Sequence, residues 1–176
     1  MKRLYFILVL WIGKFGNVLC KIFHKSGTMI SGKVAVKLQK NFVKYFRNID
    51  YDKVIFITGT NGKSTTTNLV SHTVKMAGKE VATNTEGANM MSGVATTLIK
   101  NSSLFGKFNK EFLILEIDER SLRNIFKVLP AKNLCITNLQ KDQVQRNGDP
   151  DFIYQMFKGA VNKDVTLFVN NEEPRS

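Results

Sequence analysis

The apolar run Val54-Ile-Phe-Ile-Thr58 passes directly into Gly59-Thr-Asn-Gly-Lys-Ser-Thr65, and a segment of helical period begins at once behind it. A continuous apolar run of strand length reads as a strand buried on both faces, the kind found in parallel sheets. The text after it repeats the alternation. Ser64–Ala77 is predicted helical with Leu69, Val70, Val74 and Ala77 inward, and Gly78 stops it. Val81–Asn84 follows as a strand, Ser92–Lys100 as a helix and Phe112–Ile117 as a buried strand. A helix from Glu119 to about Leu129 is closed by Pro130, and Leu134–Thr137 is the fourth strand. Asp151–Val161 reads as a helix and Val165–Val169 as a fifth strand. The fold class is α/β: a P-loop three-layer domain with a mostly parallel sheet covered on both faces. A chain of 176 residues has room for one such domain and little more.

The loop carries the chemistry. Consecutive backbone N–H groups and a helix N-terminus after a buried strand make an anion site, and phosphate is the anion such loops hold. Gly62 lets the backbone approach, Lys63 neutralises the terminal phosphates, and the Ser64 hydroxyl can ligate Mg²⁺. Gly59, Thr60, Asn61 and Thr65 complete the cradle. The common phosphate-loop pattern has glycine five residues before Gly62, where this chain has Ile57; its first glycine, Gly59, is three before. A nucleoside triphosphate, ATP with Mg²⁺, is the ligand this points to.

Charge divides the chain. Ten of the 26 Lys and Arg residues lie before Asp50, and no acidic residue does. Residues 1–50 therefore read as a basic helical segment, and 51–176 as the nucleotide-binding domain. Leu4–Ile12 is apolar after Lys2 and Arg3, as in a signal peptide, but no small-x-small cleavage site follows, and nine residues are too few to cross a bilayer. The period continues through Phe15, Val18, Leu19, Ile22 and Phe23, giving a basic amphipathic helix. It either packs on the domain or lies on the inner leaflet of a membrane. Ser26–Gly32 is a linker by composition, and a short helix follows with Val34, Val36, Leu38, Phe42, Val43 and Phe46 as its apolar positions. No nucleic-acid-binding signature accompanies the charge. Cys20 and Cys135 form no close pair and fit a cytoplasmic protein. His24 and His72 have no partners at catalytic spacing.

The shortened loop, Gly59–Thr65, resembles the ATP loop of the Mur ligase superfamily, which joins carboxylates to amines through acyl phosphates. Thr83-Asn-Thr-Glu-Gly-Ala-Asn-Met90, Leu115-Glu-Ile-Asp-Glu119, Thr137-Asn-Leu-Gln-Lys-Asp-Gln-Val-Gln-Arg146 and Val169-Asn-Asn-Glu-Glu-Pro174 extend the likeness, which runs to the MurT family. Ile30-Ser-Gly-Lys-Val-Ala-Val-Lys-Leu38 is similar to the openings of that family.

The resemblance implies that Glu116 holds Mg²⁺ with Ser64, and that Lys63 and Glu116 are the catalytic pair. A strand's carboxyl end is where a ligand-binding acid belongs in an open parallel sheet. Asp118, the nearest competitor, sits where it would cap the next helix. Asn89 resembles the asparagine near the γ-phosphate, and Asp142, Gln143 and Arg146 match a run that borders the nucleotide. That run departs from the family: Gln145 stands in place of Asp, Lys141 of Arg and Asn147 of Tyr.

The implied activity is amidation of the D-glutamate α-carboxyl of the lipid II stem peptide, with a GatD-like glutaminase supplying ammonia. In the resembling family a four-cysteine zinc ribbon, the rest of the ATPase domain and a C-terminal domain follow, so the chain reads as an N-terminal part. A non-catalytic nucleotide-binding or interaction protein, and another ligase of the superfamily such as a folylpolyglutamate synthase, remain as alternatives.

Overall fold

The computed structural model of the chain describes residues 1–22, 29–84, 88–138 and 164–171. Its elements run α1 (Lys2–Ile22), α2 (Ile30–Leu38), β1 (Val54–Thr58), α3 (Lys63–Met76), β2 (Val81–Thr83), α4 (Met91–Lys100), β3 (Phe112–Glu116), α5 (Glu119–Phe126), β4 (Asn133–Ile136) and β5 (Thr166–Val169). The strands form one sheet in the order β2-β3-β1-β4-β5, and each neighbouring pair is parallel. The α/β reading is borne out. The expected helix at 151–161 lies outside the described residues.

Side chains alternate across the sheet. By register, Val54 and Phe56 stand beside Leu113 and Leu115, while Ile55 and Ile57 stand beside Ile114 and Glu116. The first set joins the main core with residues of α1, α2, α4 and α5. Phe56 meets Phe126 of α5 edge-on at 5.0 Å between ring centres. On the Ile57 face α3 packs against β1, β2 and β3.

The helix expected over 34–46 divides. α2 ends at Leu38, and Phe42–Tyr45 is a 3-10 turn that buries Phe42 and Val43. The expected linker is also shorter than its composition suggested, because Ile30–Gly32 already belongs to α2. Gly32 serves close packing instead. A Cβ there would stand 1.9 Å from the Ser92 carbonyl oxygen of α4, and the Gly32 N–H donates to Thr96 Oγ1 at 3.0 Å.

α1 packs on the domain. Phe6 is buried among Phe42, Tyr45 and Phe46, at 5.1, 5.8 and 5.2 Å between ring centres. The Lys14 ammonium donates to the carbonyls of Ile99 (2.8 Å) and Ser102 (2.6 Å) at the end of α4, where a helix leaves carbonyls unsatisfied and favours a cation. Burial pushes the Lys14 pKa below its ordinary value.

The inward face of α3 differs from the periodicity reading. Thr67 and Ser71 are its buried residues, Leu69 is 65% exposed, and Ala77 is exposed at the C-cap. The phase of this helix is set at its first residues, which the next section places.

Candidate functional site

β1 and β3 are neighbours, and the helices that follow them leave toward opposite faces of the sheet. Such a point opens a crevice at the carboxyl ends of the strands. The loop after β1 lines it from one side and Glu116 from the other.

The loop is tied down by the end of β4. Thr60 N–H donates to the Asn138 carbonyl at 2.9 Å, and Asn61 N–H donates to Asn138 Oδ1 at 3.0 Å. Thr137 Oγ1 and Asn138 Nδ2 both donate to the Asn61 carbonyl, at 2.7 and 3.0 Å. Gly59, at φ 130°, lies against this strap; a Cβ there would fall 2.3 Å from Thr137 Oγ1. Gly62 then takes the left-handed conformation, φ 79°, as the N-cap of α3. It provides no side-chain cap, so the first-turn amides keep their capacity to bind an anion.

Lys63 and Ser64 open α3 and fix its rotation. Ser64 Oγ donates to Glu116 Oε2 at 2.6 Å, and Asn89 Nδ2 donates to Glu116 Oε1 at 3.2 Å. The Glu116 backbone is clamped by Asn84: Glu116 N–H donates to Asn84 Oδ1 at 2.8 Å, and Asn84 Nδ2 donates to the Glu116 carbonyl at 2.8 Å and the Ala88 carbonyl at 2.7 Å. Lys63 Nζ folds back onto the carbonyls of Gly59 and Thr60 (3.0 Å to the latter) and pairs with Glu119 at 3.2 Å. Asp118 caps α5 by accepting from Arg120 N–H at 3.0 Å, as its place predicts.

The residues fit Mg²⁺ and phosphate. Glu116 is only 3% exposed, and among the described residues no cation lies within ion-pair distance of it. Its side-chain partners there are the neutral donors Ser64 and Asn89. A buried carboxylate beside a hydroxyl supplies the hard oxygen ligands that Mg²⁺ prefers. An uncapped helix start with a lysine at its first position suits phosphate.

Residues 57–175 match the family described as Mur ligase middle domain. The chain belongs to the Mur ligase family. It is similar to "Lipid II isoglutaminyl synthase (glutamine-hydrolyzing) subunit MurT" of Staphylococcus aureus (strain COL), 30% identical over 93% of this chain and 36% of that protein. The protein of the same name from Streptococcus pneumoniae (strain ATCC BAA-255 / R6) is 35% identical over 84% of this chain and 33% of its own length. The chain thus spans about a third of the length of these relatives. In fold it is similar to MurF from Acinetobacter baumannii, with a TM-score of 0.61, 15% identity, and coverage of 81% of this chain and 31% of that one.

Within this Mur ligase middle domain, the predicted residues Ser64, Asn89 and Glu116 are joined by hydrogen bonds, with Lys63 beside them on α3 and the Gly59–Gly62 loop leading into it. Asp142, Gln143 and Arg146 lie outside the described residues, as do Lys141, Gln145 and Asn147. His72 is exposed on α3, away from the crevice. Sequence reasoning missed four residues as parts of the site: Asn84, Glu119, Thr137 and Asn138. All four lie in the stretches that carry the family resemblance, yet each acts through a contact distant in sequence. In the sequence alone Glu119 marks only a helix start.

Proposed function

We propose that this chain is the ATP-binding part of a MurT-like ligase subunit, in the cytoplasm, that serves peptidoglycan synthesis. Its reaction is amidation of the D-glutamate α-carboxyl of the lipid II stem peptide, through an acyl phosphate. A GatD-like glutaminase subunit is the partner that supplies ammonia, and the lipid-linked substrate brings the protein to the inner leaflet as a peripheral contact. The likeness to proteins named MurT supports the choice of reaction. The observation that carries the nucleotide reading is the Ser64–Glu116 hydrogen bond beside the uncapped start of α3.

Each residue then has a task. The first-turn amides of α3 and the Gly62 backbone bind phosphate oxygens, and the Lys63 ammonium offsets their charge as phosphoryl transfer proceeds. Ser64 and Glu116 would hold Mg²⁺, which supplies further positive charge to the phosphates. Asn84 fixes the Glu116 backbone, and Asn89 orients its carboxylate. Glu119 keeps Lys63 folded over the loop carbonyls; an arriving triphosphate competes with it for the ammonium.

Titration with ATP, in Mg²⁺ and in chelator, tests this reading. Mg²⁺ is expected to tighten binding by the parent chain, and Glu116→Gln to reduce that gain more than it reduces metal-free binding. An undiminished response to Mg²⁺ in the variant would show that another acid is the ligand.

A further inference from the structure

We propose that the outer face of α1 is a docking surface for an anionic lipid bilayer, along which the helix lies in the plane of the membrane. This deepens the peripheral contact of the proposed function and rests on it for the choice of the inner leaflet; it does not depend on the nucleotide site.

α1 is apolar on two opposite faces. Phe6, Val9 and Leu10 are buried in the domain. A Cβ on Gly13, on the same side, would stand 2.8 Å from Ile99 Cδ1. Leu4, Leu8, Trp11, Phe15, Val18 and Ile22 are exposed, and at about 100° per residue they fall within an arc of about 80° opposite that core face. Leu4, Phe15 and Ile22 are more than 60% exposed. A second stretch, remote in sequence, extends this surface. Trp11 Nε1 donates to the Leu104 carbonyl at 2.9 Å, and the side chains of Leu104 and Phe105 in that turn are exposed as well. A helix with apolar stripes on two opposite faces has two apolar surfaces to cover. One is covered by the protein core.

Charge selects what covers the other. No acidic residue occurs before Asp50, and Lys2 and Arg3 at the start of α1, with Lys33 and Lys37 on the adjoining α2, are exposed. Two copies meeting through this face would set a wholly cationic segment against itself. An anionic leaflet instead neutralises the lysines, while the acyl boundary takes the apolar side chains. The half-exposed Trp11 ring adds apolar area at that boundary, its N–H already satisfied by the Leu104 carbonyl. By length and composition α1 is sufficient to cross a membrane. Its buried core face, and the hydrogen bonds of Trp11 and Lys14 to the 99–104 region, hold it against the domain instead.

Flotation of the full chain with vesicles tests the proposal. One set is phosphatidylcholine alone; the other is phosphatidylcholine mixed equally with phosphatidylglycerol. Binding to the anionic set is expected, at least roughly tenfold above the neutral set and falling as salt rises. Leu8→Glu/Phe15→Glu should lower it by at least roughly tenfold through loss of apolar insertion, with the helical circular dichroism unchanged because both positions are exposed. Lys33→Glu/Lys37→Glu, which leaves the apolar stripe intact, should lower binding and flatten its salt dependence. Absence of anionic-vesicle binding by the parent chain overturns the proposal, as does equal binding by folded Leu8→Glu/Phe15→Glu. Resistance to alkaline extraction would show a spanning helix, and self-association abolished by that double substitution without vesicle binding would show a seam between copies; either overturns it. MgATP titration of the same samples keeps the readings apart. Vesicle binding without ATP binding would sink the nucleotide site alone, and the converse would sink the docking surface alone.

Discussion

Of the helices that follow β1 and β2, α4 has seven consecutive residues, Gly93–Ile99, buried, whereas α3, four residues longer, buries only Thr67 and Ser71. The two helices are held in different ways. α4 lies against α2 and α1 and is fixed by apolar burial along its length. α3 is fixed at its start, where Ser64 bonds Glu116 and Lys63 bonds the loop and Glu119. Its outer side is left to solvent, with Leu69 and Met76 exposed. Packing on one face of the sheet thus supports polar contacts on the other, where a ligand can compete for them.

Substitutions can break or sharpen that contrast. The largest effect is expected on the packed side. Phe6→Ala removes a ring buried among three others and should cost about 3–5 kcal/mol by denaturant unfolding. A loss under about 1 kcal/mol would mean that α1 is not part of the core.

On the polar side the main loss should be in affinity. Lys63→Ala is expected to weaken ATP binding by roughly 10- to 150-fold, the worth of a charge-assisted hydrogen bond of about 1.5–3 kcal/mol. It should also destabilise the fold, because Glu119, only 5% exposed, loses its cation. The double variant Lys63→Ala/Glu119→Gln should regain stability in thermal melts without regaining ATP affinity. Recovery of both would show that Lys63 acts only through folding.

Two glycines make a finer test of the packed side. Gly32→Ala should cost about 1–3 kcal/mol, since its methyl group meets the Ser92 carbonyl and α2 must move off α4. Gly16→Ala, within α1 and with nothing inside 4 Å of its new methyl, should stabilise by about 0.5–1 kcal/mol. Equal effects at the two glycines would contradict the close approach of α2 and α4. The smallest effect is expected at Leu69→Ala on the open side of α3, within about 0.5 kcal/mol. A cost of core size there would show that α3 is covered in solution.

Much of the fold was legible because local rules and the tertiary outcome agree. The strands expected at 54–58, 112–117 and 134–137 became parallel strands at 54–58, 112–116 and 133–136, Gly78 took a positive φ after α3, and Asp118 became an N-cap. The loop of the candidate site was legible for the same reason: strand, glycine loop and helix start are consecutive in the chain, so their order alone places Lys63 and Ser64. Glu116 required a further step, since it comes from another strand; the family resemblance pointed to it, and its place at the end of a buried run agrees.

What failed was any reading that assumed a residue's own segment decides its surroundings. Periodicity turned Leu69 inward, yet the contacts of Lys63 and Ser64 at the loop set the rotation of α3 and brought Thr67 and Ser71 to the sheet. Composition made Gly32 a linker residue, yet it is the point where two helix backbones meet.

By itself, then, the sequence determined the strand–helix order, the phosphate-type loop and the unbroken positive charge before Asp50. These depend on backbone preference, hydrophobic period and formal charge, which short stretches of chain carry with them. Only the tertiary structure decided that Glu119 pairs with Lys63, that Asn84 clamps Glu116, that Thr137 and Asn138 strap the loop, and that α1 keeps one apolar face in the core and another outside. Those contacts join residues that are tens of positions apart, and chain topology brings them together where no local preference could.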